Sequence, residues 1–378
     1  MRIPEGKKIQ GEVISQQSGA LDAAEAAVAE TFGRRHCLLV GSGTTALSLA
    51  VQALRPTGDG MAVFPSFTCE TAINAAIFAG LTPVFAECAR GKLVAGWEQL
   101  QAAAAGRDAV IVPTHLFGQM VDLPRDIAAA GAVVEDAAQA YGGRVGGRAV
   151  GTLARLAILS FGPDKLVHCG GGAVMTDETA LIDGLRALRA GLLADLAEAD
   201  PAAVRKSLMQ RLFALRRERL APAAESSARR ALLRDHRLGY LSGFDAGKTE
   251  ALCAAMDRFP QIRQDRHAAG ALFTEAVRAV PGVDLLTHSA EDFVVPWRFS
   301  FLVPPVKREA ALEALRAGGL AATAYFDPLH RMFGGADADF PNAVAVASRI
   351  INMGFPLDGI PDQSLAWRLR DILKEVLP

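Results

Sequence analysis

Two short segments place polar groups directly after apolar runs. The first is GSGTT at residues 41–45, which lies between HCLLV and an amphipathic run. The free amides of a helix start there could bind an anion such as phosphate, although an ordinary N-cap by Ser42 or Thr44 explains the segment about as well. The second is Asp136, which closes the run AVVED. A carboxylate buried there requires a partner such as a protonated ring nitrogen, unless it only caps the helix predicted at AAQA.

Lys165 lies in a loop between two further apolar runs. In LAILSFGPDK the strand-like part ends at Ser160, and the Gly162-Pro163 turn carries Lys165 to the edge of the predicted sheet. A lysine in a loop is usually only solvated. The glycine run at 170–172 follows it, and these glycines either let the backbone approach a bulky ligand or form an ordinary tight connection.

The order of these segments favours one site with one chemistry. An amine can form a Schiff base with an aldehyde cofactor, an acid can hold a pyridine nitrogen protonated, and a helix N-terminus can bind a phosphate. Each segment alone is ambiguous. Together, Lys165, Asp136 and residues 41–45 predict pyridoxal phosphate (PLP) as the cofactor.

The apolar runs that position these groups alternate with helical patterns through the first half of the chain. The runs are HCLLVG, MAVFPS, TPVFAE, AVIVPTH, AVVED, LAILSF and GAVMTD. Continuous apolar strands separated by helices are typical of a mainly parallel sheet that is covered on both faces. Ligands bind at the carboxyl ends of such strands, where the polar residues above lie. The predicted fold class is therefore α/β.

The predicted domain organisation is a large cofactor-binding domain over residues 1–240 and a smaller α+β domain over 241–378. Within the first, residues 181–237 are rich in Ala, Leu and Arg and predict helices. The arginines form either a basic binding face or, as is more usual, a solvated helical surface. In the second, VVPWRFSFLV predicts a strand, and REAALEALRAGG predicts a helix that ends at glycine.

Composition narrows the class of protein. The 378 residues are 51% hydrophobic and carry a formal net charge of −1, so there is no basic excess for nucleic acid. Five scattered cysteines lack metal-ligand spacing and indicate reduced thiols rather than a disulfide framework or a metal site. The polar start MRIPEGKKIQ argues against a signal peptide, and no apolar run reaches the length of a membrane span. These features predict a cytoplasmic protein that binds small molecules.

Several longer segments form a recognisable set. They are GSGTTAL, FPSFTCETAINAAIFAGLTPVFAE, THLFGQMVDL, VVEDAAQAYGG and SFGPDKLVHCGGGAVMTD, with weaker matches in AYFDPLH and NAVAVASRIINMGFP. With them the sequence resembles the DegT/DnrJ/EryC1/StrS family of PLP-dependent aminotransferases, which is best known for sugar amination. The resemblance runs from about residue 10 to the C-terminus. It implies the PLP-dependent transferase fold type I, that of aspartate aminotransferase, and a homodimer.

The resemblance also implies roles for individual residues. Lys165 would form the Schiff base with the cofactor and transfer protons, while Asp136 would pair with the pyridine nitrogen. His330, in DPLH, matches a histidine near the substrate, although a structural role stays open. The further cofactor contacts implied are Gly43, Thr44, Thr45, Gln139, Ser160 and position 69.

Three departures from the family pattern mark a divergent sequence. Position 69 is often an aromatic residue that stacks on the cofactor ring, but here it is Cys69. The family element Asn-Tyr-Arg-Met aligns with LSGF at 241–244, so its asparagine, which reaches the phosphate in the partner subunit, and its arginine are missing. GPDK replaces the more common approach to the lysine. Arg298, in the predicted strand VVPWRFSF, could instead bind the carboxylate of the amino donor, or a structural Asp or Glu.

The expected activity is transamination. Glutamate or a similar amino acid would donate its amino group to a keto or aldehyde acceptor, such as a nucleotide-linked keto-sugar, with the cofactor cycling through pyridoxamine phosphate. Some relatives carry histidine in place of the lysine and act as sugar dehydratases; Lys165 argues against this, although His168 lies three residues on. Elimination, racemisation and a non-catalytic sensor or scaffold role also stay open.

Overall fold

The computed structural model describes residues 19–55, 60–127, 131–218, 221–356 and 363–377. The polar N-terminal decapeptide that argues against a signal peptide lies outside the described residues. In chain order, the helices are α1 (19–31), α2 (Gly43–Ala53), α3 (Glu70–Phe78), α4 (Trp97–Ala104), α5 (Thr179–Glu198), α6 (Pro201–Arg217), α7 (Pro222–Asp235), α8 (Thr249–Asp257), α9 (Phe259–Val277), α10 (Arg308–Ala317), α11 (Pro341–Ala347) and α12 (Gln363–Val376).

The strands are β1 (His36–Val40), β2 (Met61–Pro65), β3 (Thr82–Ala86), β4 (Ala109–Ile111), β5 (Val134–Asp136), β6 (Arg144–Val145), β7 (Arg148–Ala149), β8 (Leu156–Ser160), β9 (Gly172–Thr176), β10 (Asp284–Leu285), β11 (Arg298–Leu302), β12 (Ala322–Thr323) and β13 (Ile350–Gly354). Short 3₁₀ segments include Ala246–Lys248 and Leu329–Phe333.

The large sheet has the strand order β3-β2-β4-β5-β8-β9-β1. Parallel ladders join β3, β2 and β4, and another joins β5 to β8. Parallel bridges from Ile111 to Val133 and from Thr114 to Asp136 connect the two groups. The sheet is therefore mainly parallel, as the sequence predicts.

One strand runs against the others. The GAVMTD run forms β9, which pairs antiparallel with both β8 and β1. The short loop that carries Lys165 returns the chain directly from β8 into β9, whereas a parallel pairing needs a longer crossover, usually through a helix. The loop is thereby held between two neighbouring strands.

Both faces of the sheet are covered because the strands are apolar on both sides. Leu38 and Val40 of β1 pack into one hydrophobic core, and Leu39 between them packs into the other. The same alternation occurs in β8, where Ile158 and Leu159 belong to different cores. Burying a side chain of this size contributes roughly 1.5–3 kcal/mol before the entropic cost of ordering it. The polar residues that end these strands are therefore held on a rigid edge.

Residues 181–237 are largely helical, as predicted, and form most of α5 and all of α6 and α7. Leu192, Leu208 and Leu233 anchor these helices to the core beside β1. Among the described arginine side chains of α6 and α7, those of Arg205, Arg211 and Arg234 are exposed, whereas that of Arg229 is buried.

The C-terminal part contains a four-stranded antiparallel sheet in the order β10-β11-β13-β12. Helices α9, α10 and α12 pack on it around Phe273, Phe301 and Leu369. The boundary predicted at residue 240 stays a prediction, because Leu252 and Met256 beyond it still belong to a core of the large sheet.

Within the described residues, no helix has the length and apolar character that a membrane span requires. The same part of the chain contains no group of three His, Cys, Asp or Glu side chains placed to hold a metal ion.

Candidate active site

The side chain of Lys165 lies over an indole ring. Its Nζ is 3.7 Å from the ring centroid of Trp297, the residue directly before β11. The Lys165 amide donates to the carbonyl of Gly162, so the turn predicted from glycine and proline sets the direction of the lysine. Burial lowers the pKa of Lys165, against the opposing effects of Asp164, Cys69 and Asp136. A desolvated amine of this kind is more often neutral, and so more nucleophilic, than a solvated lysine.

Asp136 is the last residue of β5 and is 6% exposed. Its Oδ1 accepts a hydrogen bond from the amide of Ala138 at 3.1 Å, and no described residue donates to Oδ2. Burial raises the pKa of Asp136, while the charge of Lys165 lowers it. The structure therefore brings the predicted amine and carboxyl together at one sheet edge, close enough for each to affect the ionisation of the other.

A buried hydrogen bond between His115 and Glu135 lies directly behind Asp136, and the sequence does not predict it. Glu135 Oε1 is 3.0 Å from His115 Nε2, and both side chains are fully buried. His115 Nδ1 accepts a hydrogen bond from the amide of Val121, so Nε2 carries the hydrogen. Although burial acts in the opposite direction, the hydrogen bonds from His115 and two backbone amides lower the pKa of Glu135. Two adjacent acidic residues at the end of the apolar run VVED were the only indication of this contact in the sequence. The hydrogen bond between His115 and Glu135 fixes the backbone next to Asp136.

The predicted phosphate loop forms the start of α2. Ser42 caps the helix, because its Oγ accepts from the amide of Thr45 at 3.1 Å. The first amides of the helix, those of Gly43 and Thr44, have no intrahelical acceptor and remain for an anion. A Cβ added at Gly43 would lie 2.7 Å from the Cβ of Ser160, so glycine is what allows the start of α2 to pack this closely against the end of β8.

Thr45 is the member of this group that the structure does not support as a cofactor contact. Its amide is used by Ser42, and its Oγ1 accepts from the amide of Ser242 at 3.1 Å. The side chain is also completely buried. Thr45 therefore holds the loop together, whereas Gly43 and Thr44 are placed to face a ligand.

The LSGF segment at 241–244 packs against this loop of the same chain. The carbonyl of Ser242 accepts from the amide of Gly41 at 2.8 Å. The ring of Phe244 fills the space beside Gly171, where an added Cβ would lie 2.7 Å from it. Gly171 has a φ of 95°, which favours glycine. The segment that lacks the family asparagine and arginine thus supports the phosphate loop through backbone and apolar contacts.

A series of aromatic rings continues from Trp297. Phe117 stacks on Trp297 with 5.5 Å between centroids, and Phe326 lies on the other side of Phe117 at the same distance. The amide of Phe117 donates to Oε1 of the buried Gln139, so the predicted ring neighbour Gln139 also fixes this stack. Cys69 is half-buried, and its Sγ lies 3.1 Å from the hydroxyl of Thr71. The stack was not foreseen, because its rings come from distant parts of the sequence.

Arg298 lies beside the lysine with most of its donors unused. Its side chain is 14% exposed, and its ion pair with Asp164 is long, at 3.5 Å. The guanidinium lies 4.8 Å from the ring centroid of Trp297 and 5.2 Å from that of Tyr325. Its buried Nε has no hydrogen-bond acceptor among the described residues. Asp164 is thus the structural carboxylate that one alternative predicts for Arg298. It uses only part of the guanidinium, so a donor carboxylate could still bind there as the other alternative predicts.

His330 is fully buried and away from solvent. Its Nδ1 lies 2.6 Å from Ser66 Oγ, its Nε2 lies 3.1 Å from Asp337, and its ring stacks on Phe340 at 4.2 Å. Both ring nitrogens are therefore engaged within the chain. The structure gives no support to the predicted substrate contact and favours the structural alternative.

The arrangement fits pyridoxal phosphate. A desolvated amine and a buried carboxylate with an unbonded oxygen face the same space. Ser160 packs closely against Gly43, so its hydroxyl lies beside the free amides at the start of α2. An aldehyde, a pyridine nitrogen and a phosphate are the groups that these three features can receive.

Comparison with known proteins agrees with this chemistry. A model of the DegT/DnrJ/EryC1/StrS aminotransferase family matches residues 8–358. A UDP-N-acetyl-3-dehydro-alpha-D-glucosamine 3-aminotransferase from Acidithiobacillus ferrooxidans is 35% identical over 183 residues, which is 47% of this chain and 49% of that protein. A dTDP-3-amino-3,4,6-trideoxy-alpha-D-glucose transaminase from Micromonospora megalomicea is 35% identical over 44% of this chain and 46% of its own length. The chain thus spans about half the length of these curated relatives.

Solved structures show the same fold. An aminotransferase from Brucella abortus has a TM-score of 0.72 at 20% identity, with 100% of this chain and 99% of that chain covered. A 3-amino-5-hydroxybenzoic acid synthase has a TM-score of 0.73 at 20% identity, with 99% and 97% covered. The predicted fold type I is confirmed.

Proposed function

Because the chain belongs to the DegT/DnrJ/EryC1/StrS aminotransferase family, we propose that it transfers the amino group of an amino acid to a keto or aldehyde acceptor. Pyridoxal phosphate is the cofactor of this family, in agreement with the sequence prediction. The observation that carries the proposal is the placement of Lys165 and Asp136, which lie at one sheet edge and influence each other's pKa. The donor leaves as its 2-oxo acid, and the carbonyl carbon of the acceptor becomes an amine-bearing carbon.

Different residues at the sheet edge are proposed to bind the phosphate, the pyridine nitrogen and the ring of the cofactor. The amides of Gly43 and Thr44 and the hydroxyl of Ser160 bind the phosphate. Asp136 binds the pyridine nitrogen through its free oxygen, and Gln139 lies beside the ring. When bound, pyridoxal phosphate supplies an aldehyde for an amine and a protonated ring that withdraws electrons from the donor α-carbon.

Lys165 has two tasks in this proposal. Its amine would hold the aldehyde of the cofactor, for which the neutral form is needed, and burial favours that form by lowering the pKa of Lys165. With a donor bound, the same amine would be the base that moves a proton between the donor α-carbon and the cofactor. Trp297 limits the movement of the amine between these positions because its ring lies directly beneath Nζ.

Arg298 is proposed to bind the carboxylate of the donor. Its planar guanidinium matches a carboxylate, and a largely buried arginine with unused donors is under-satisfied in the absence of one. The contact with Asp164 at 3.5 Å is long enough to be exchanged for a closer ligand. A carboxylate held there would place the α-carbon of the donor near Lys165.

The acceptor is proposed from the relatives. The two curated relatives above act on sugars linked to UDP and dTDP according to their names, so a nucleotide-linked keto-sugar is the first acceptor to examine. We also propose that the protein works in the cytoplasm as a homodimer, as the family resemblance implies.

Absorbance of the purified protein tests the proposal. Addition of pyridoxal phosphate should produce a visible band, which an amino donor should bleach. Borohydride should also remove the band, because it reduces the imine to an amine, and this reduction should leave the cofactor covalently attached to Lys165. Lys165→Ala should show neither fixation nor turnover, whereas Lys248→Ala, a control in the 3₁₀ segment Ala246–Lys248, should retain both. Normal transamination by Lys165→Ala would rule out the proposal.

A further inference from the structure

A cavity of about 430 Å³ adjoins the lysine site from the side of the C-terminal sheet. It lies between α9, β10 and β11. Two of its lining residues also belong to the lysine site. Phe117 stacks on Trp297 beneath the Lys165 amine, and the charge of Arg298 acts on the pKa of that amine. The cavity is therefore a continuation of the site rather than a separate surface depression.

The walls of the cavity are mainly hydrocarbon. They include Ala271, Leu285, Leu286, Val294, Pro296 and Phe299. The volume is within the range of small-molecule pockets and leaves room for a group as large as isobutyl or benzyl. Apolar groups gain free energy on entering such a space in proportion to the area they bury.

Arg298 is the charged residue at the inner end of this cavity. Its Nε is buried without a hydrogen-bond acceptor among the residues described, and its contact with Asp164 is long. A ligand with a carboxylate at one end would complete the hydrogen bonding of the guanidinium. The remainder of the same ligand would then lie within reach of both Lys165 and the apolar walls.

The outer end offers no comparable partner for a second carboxylate. Arg278 pairs with Glu275 at 3.1 Å, and both are largely exposed. Burial lowers the pKa of His288 and so disfavours its charged form. His267 lies 2.8 Å from the carbonyl of Val294 through Nδ1. A side-chain carboxylate such as that of glutamate would face Glu275 without an unpaired cation among the described lining residues.

We propose that this cavity receives the side chain of the amino donor and that the donor is an α-amino acid with an apolar side chain. Its α-carboxylate binds Arg298, its α-carbon lies next to Lys165, and its side chain extends between α9 and β11. The inference rests on the proposed function and refines it, because the sequence alone favours glutamate as the donor.

Titration of the visible band with different amino acids tests the donor class. The holoenzyme is mixed with leucine, phenylalanine, alanine or glutamate, and the concentration that half-bleaches the band is measured. Leucine or phenylalanine should need roughly a tenfold lower concentration than glutamate, a ratio typical of apolar pocket discrimination. Half-bleaching by glutamate at the lowest concentration of the four overturns the inference.

A matched pair of variants on α9 tests the location. Ala271 and Ala268 are both exposed on this helix, but only Ala271 lines the cavity. Ala271→Phe fills the space and should raise the half-bleaching concentration of leucine by roughly tenfold while leaving alanine unchanged. Ala268→Phe should change neither. Equal effects of the two variants, or none, place the donor side chain elsewhere and overturn the inference.

Calorimetry gives a readout that does not depend on turnover. The probe is 4-methylpentanoate, which keeps the carboxylate and isobutyl group of leucine but lacks the amine. It should bind the wild-type holoenzyme, and Arg298→Gln and Ala271→Phe should each weaken its binding by roughly tenfold. Failure of either variant to weaken binding contradicts the inference.

These outcomes are distinct from failure of the proposed function. A band that is bleached only by glutamate or only by an amino-sugar leaves the aminotransferase assignment intact and removes the apolar donor. A wild-type protein that forms no band with pyridoxal phosphate, or whose band no amine bleaches, removes the assignment itself.

Discussion

Trp297 contacts the Lys165 loop in two ways. Its indole face lies 3.7 Å from Lys165 Nζ, and its indole N–H donates to the carbonyl of Asp164 at 2.6 Å. The first contact favours the protonated amine, by roughly 0.5–2 kcal/mol for a cation over an aromatic face. Burial has the opposite effect, because it favours the neutral amine and lowers the pKa of Lys165. The Trp297 ring therefore partly offsets the lowering of the Lys165 pKa by burial.

Replacement of Trp297 should shift the pH dependence of cofactor capture. Trp297→Leu removes the aromatic face, so the pKa of Lys165 should fall further and the capture rate should reach its plateau at a pH up to about one unit lower. Trp297→Phe loses the same N–H donor but keeps an aromatic face, so its pH profile should lie between those of Trp297→Leu and the wild-type protein. Stopped-flow absorbance against pH measures this. Coincident profiles for the two variants would show that the ring face has no influence on the amine.

Asp136→Asn should stabilise the cofactor-free protein while destroying its function. The pKa of Asp136 is raised in the folded state, so the folded chain binds more protons than the unfolded chain between about pH 3.8 and the raised value, and stability falls across that window. Asparagine does not titrate, so the variant does not lose stability as the pH rises through this window. The melting temperature of the cofactor-free variant should exceed that of wild type at pH 7, with a smaller difference near pH 4.

The effect of Asp136→Asn on activity should be opposite to its effect on stability. Asparagine cannot hold a proton on the pyridine nitrogen, so transamination should fall by at least about a hundredfold. A variant with wild-type turnover would mean that Asp136 does not contact the cofactor ring.

Gly43→Ala should weaken the binding of the phosphate group specifically. The added Cβ would lie 2.7 Å from the Cβ of Ser160, so the start of α2 and Ser160 would have to move apart, and the helix amides and the Ser160 hydroxyl would be displaced from each other. We expect roughly tenfold weaker binding of pyridoxal phosphate, equivalent to about 1.4 kcal/mol, and little change for pyridoxal, which lacks the phosphate. Gly184→Ala in α5 is the control, because a Cβ there meets no atom within 4 Å. Equal losses for both ligands would indicate general damage to the loop.

The sequence was most informative where function depends on local order. The strand ends at Asp136 and Ser160 and the helix start at Gly43 follow from apolar runs and small residues only a few positions apart. The roles of these residues can therefore be predicted from the order of motifs along the chain. The large sheet could be predicted for the same reason.

Contacts between distant residues could not be predicted in this way. Asp164 and Arg298 are separated by 134 positions, and Ser66 and His330 by 264. The stack of Phe117 on Trp297 joins the two sheets and has no local signal. The motif DPLH therefore predicts a substrate contact for His330 beside the structural alternative, because the sequence alone does not show that both ring nitrogens are bonded within the chain.

His330→Gln should affect stability rather than substrate affinity. Glutamine cannot reproduce bonds to both Ser66 and Asp337 or the stacking on Phe340, and a disrupted buried hydrogen bond typically costs about 1–3 kcal/mol. Urea unfolding should show a loss of this size, while the half-bleaching concentration of the amino donor and the half-saturating concentration of the acceptor should change by less than about twofold. Ser66→Ala is the companion variant, because it removes one of the same bonds from the other side and should destabilise the chain in the same direction. If His330→Gln instead raises a half-saturating concentration while Ser66→Ala does not, the histidine contacts substrate as its motif suggested, and the buried network must open when substrate binds.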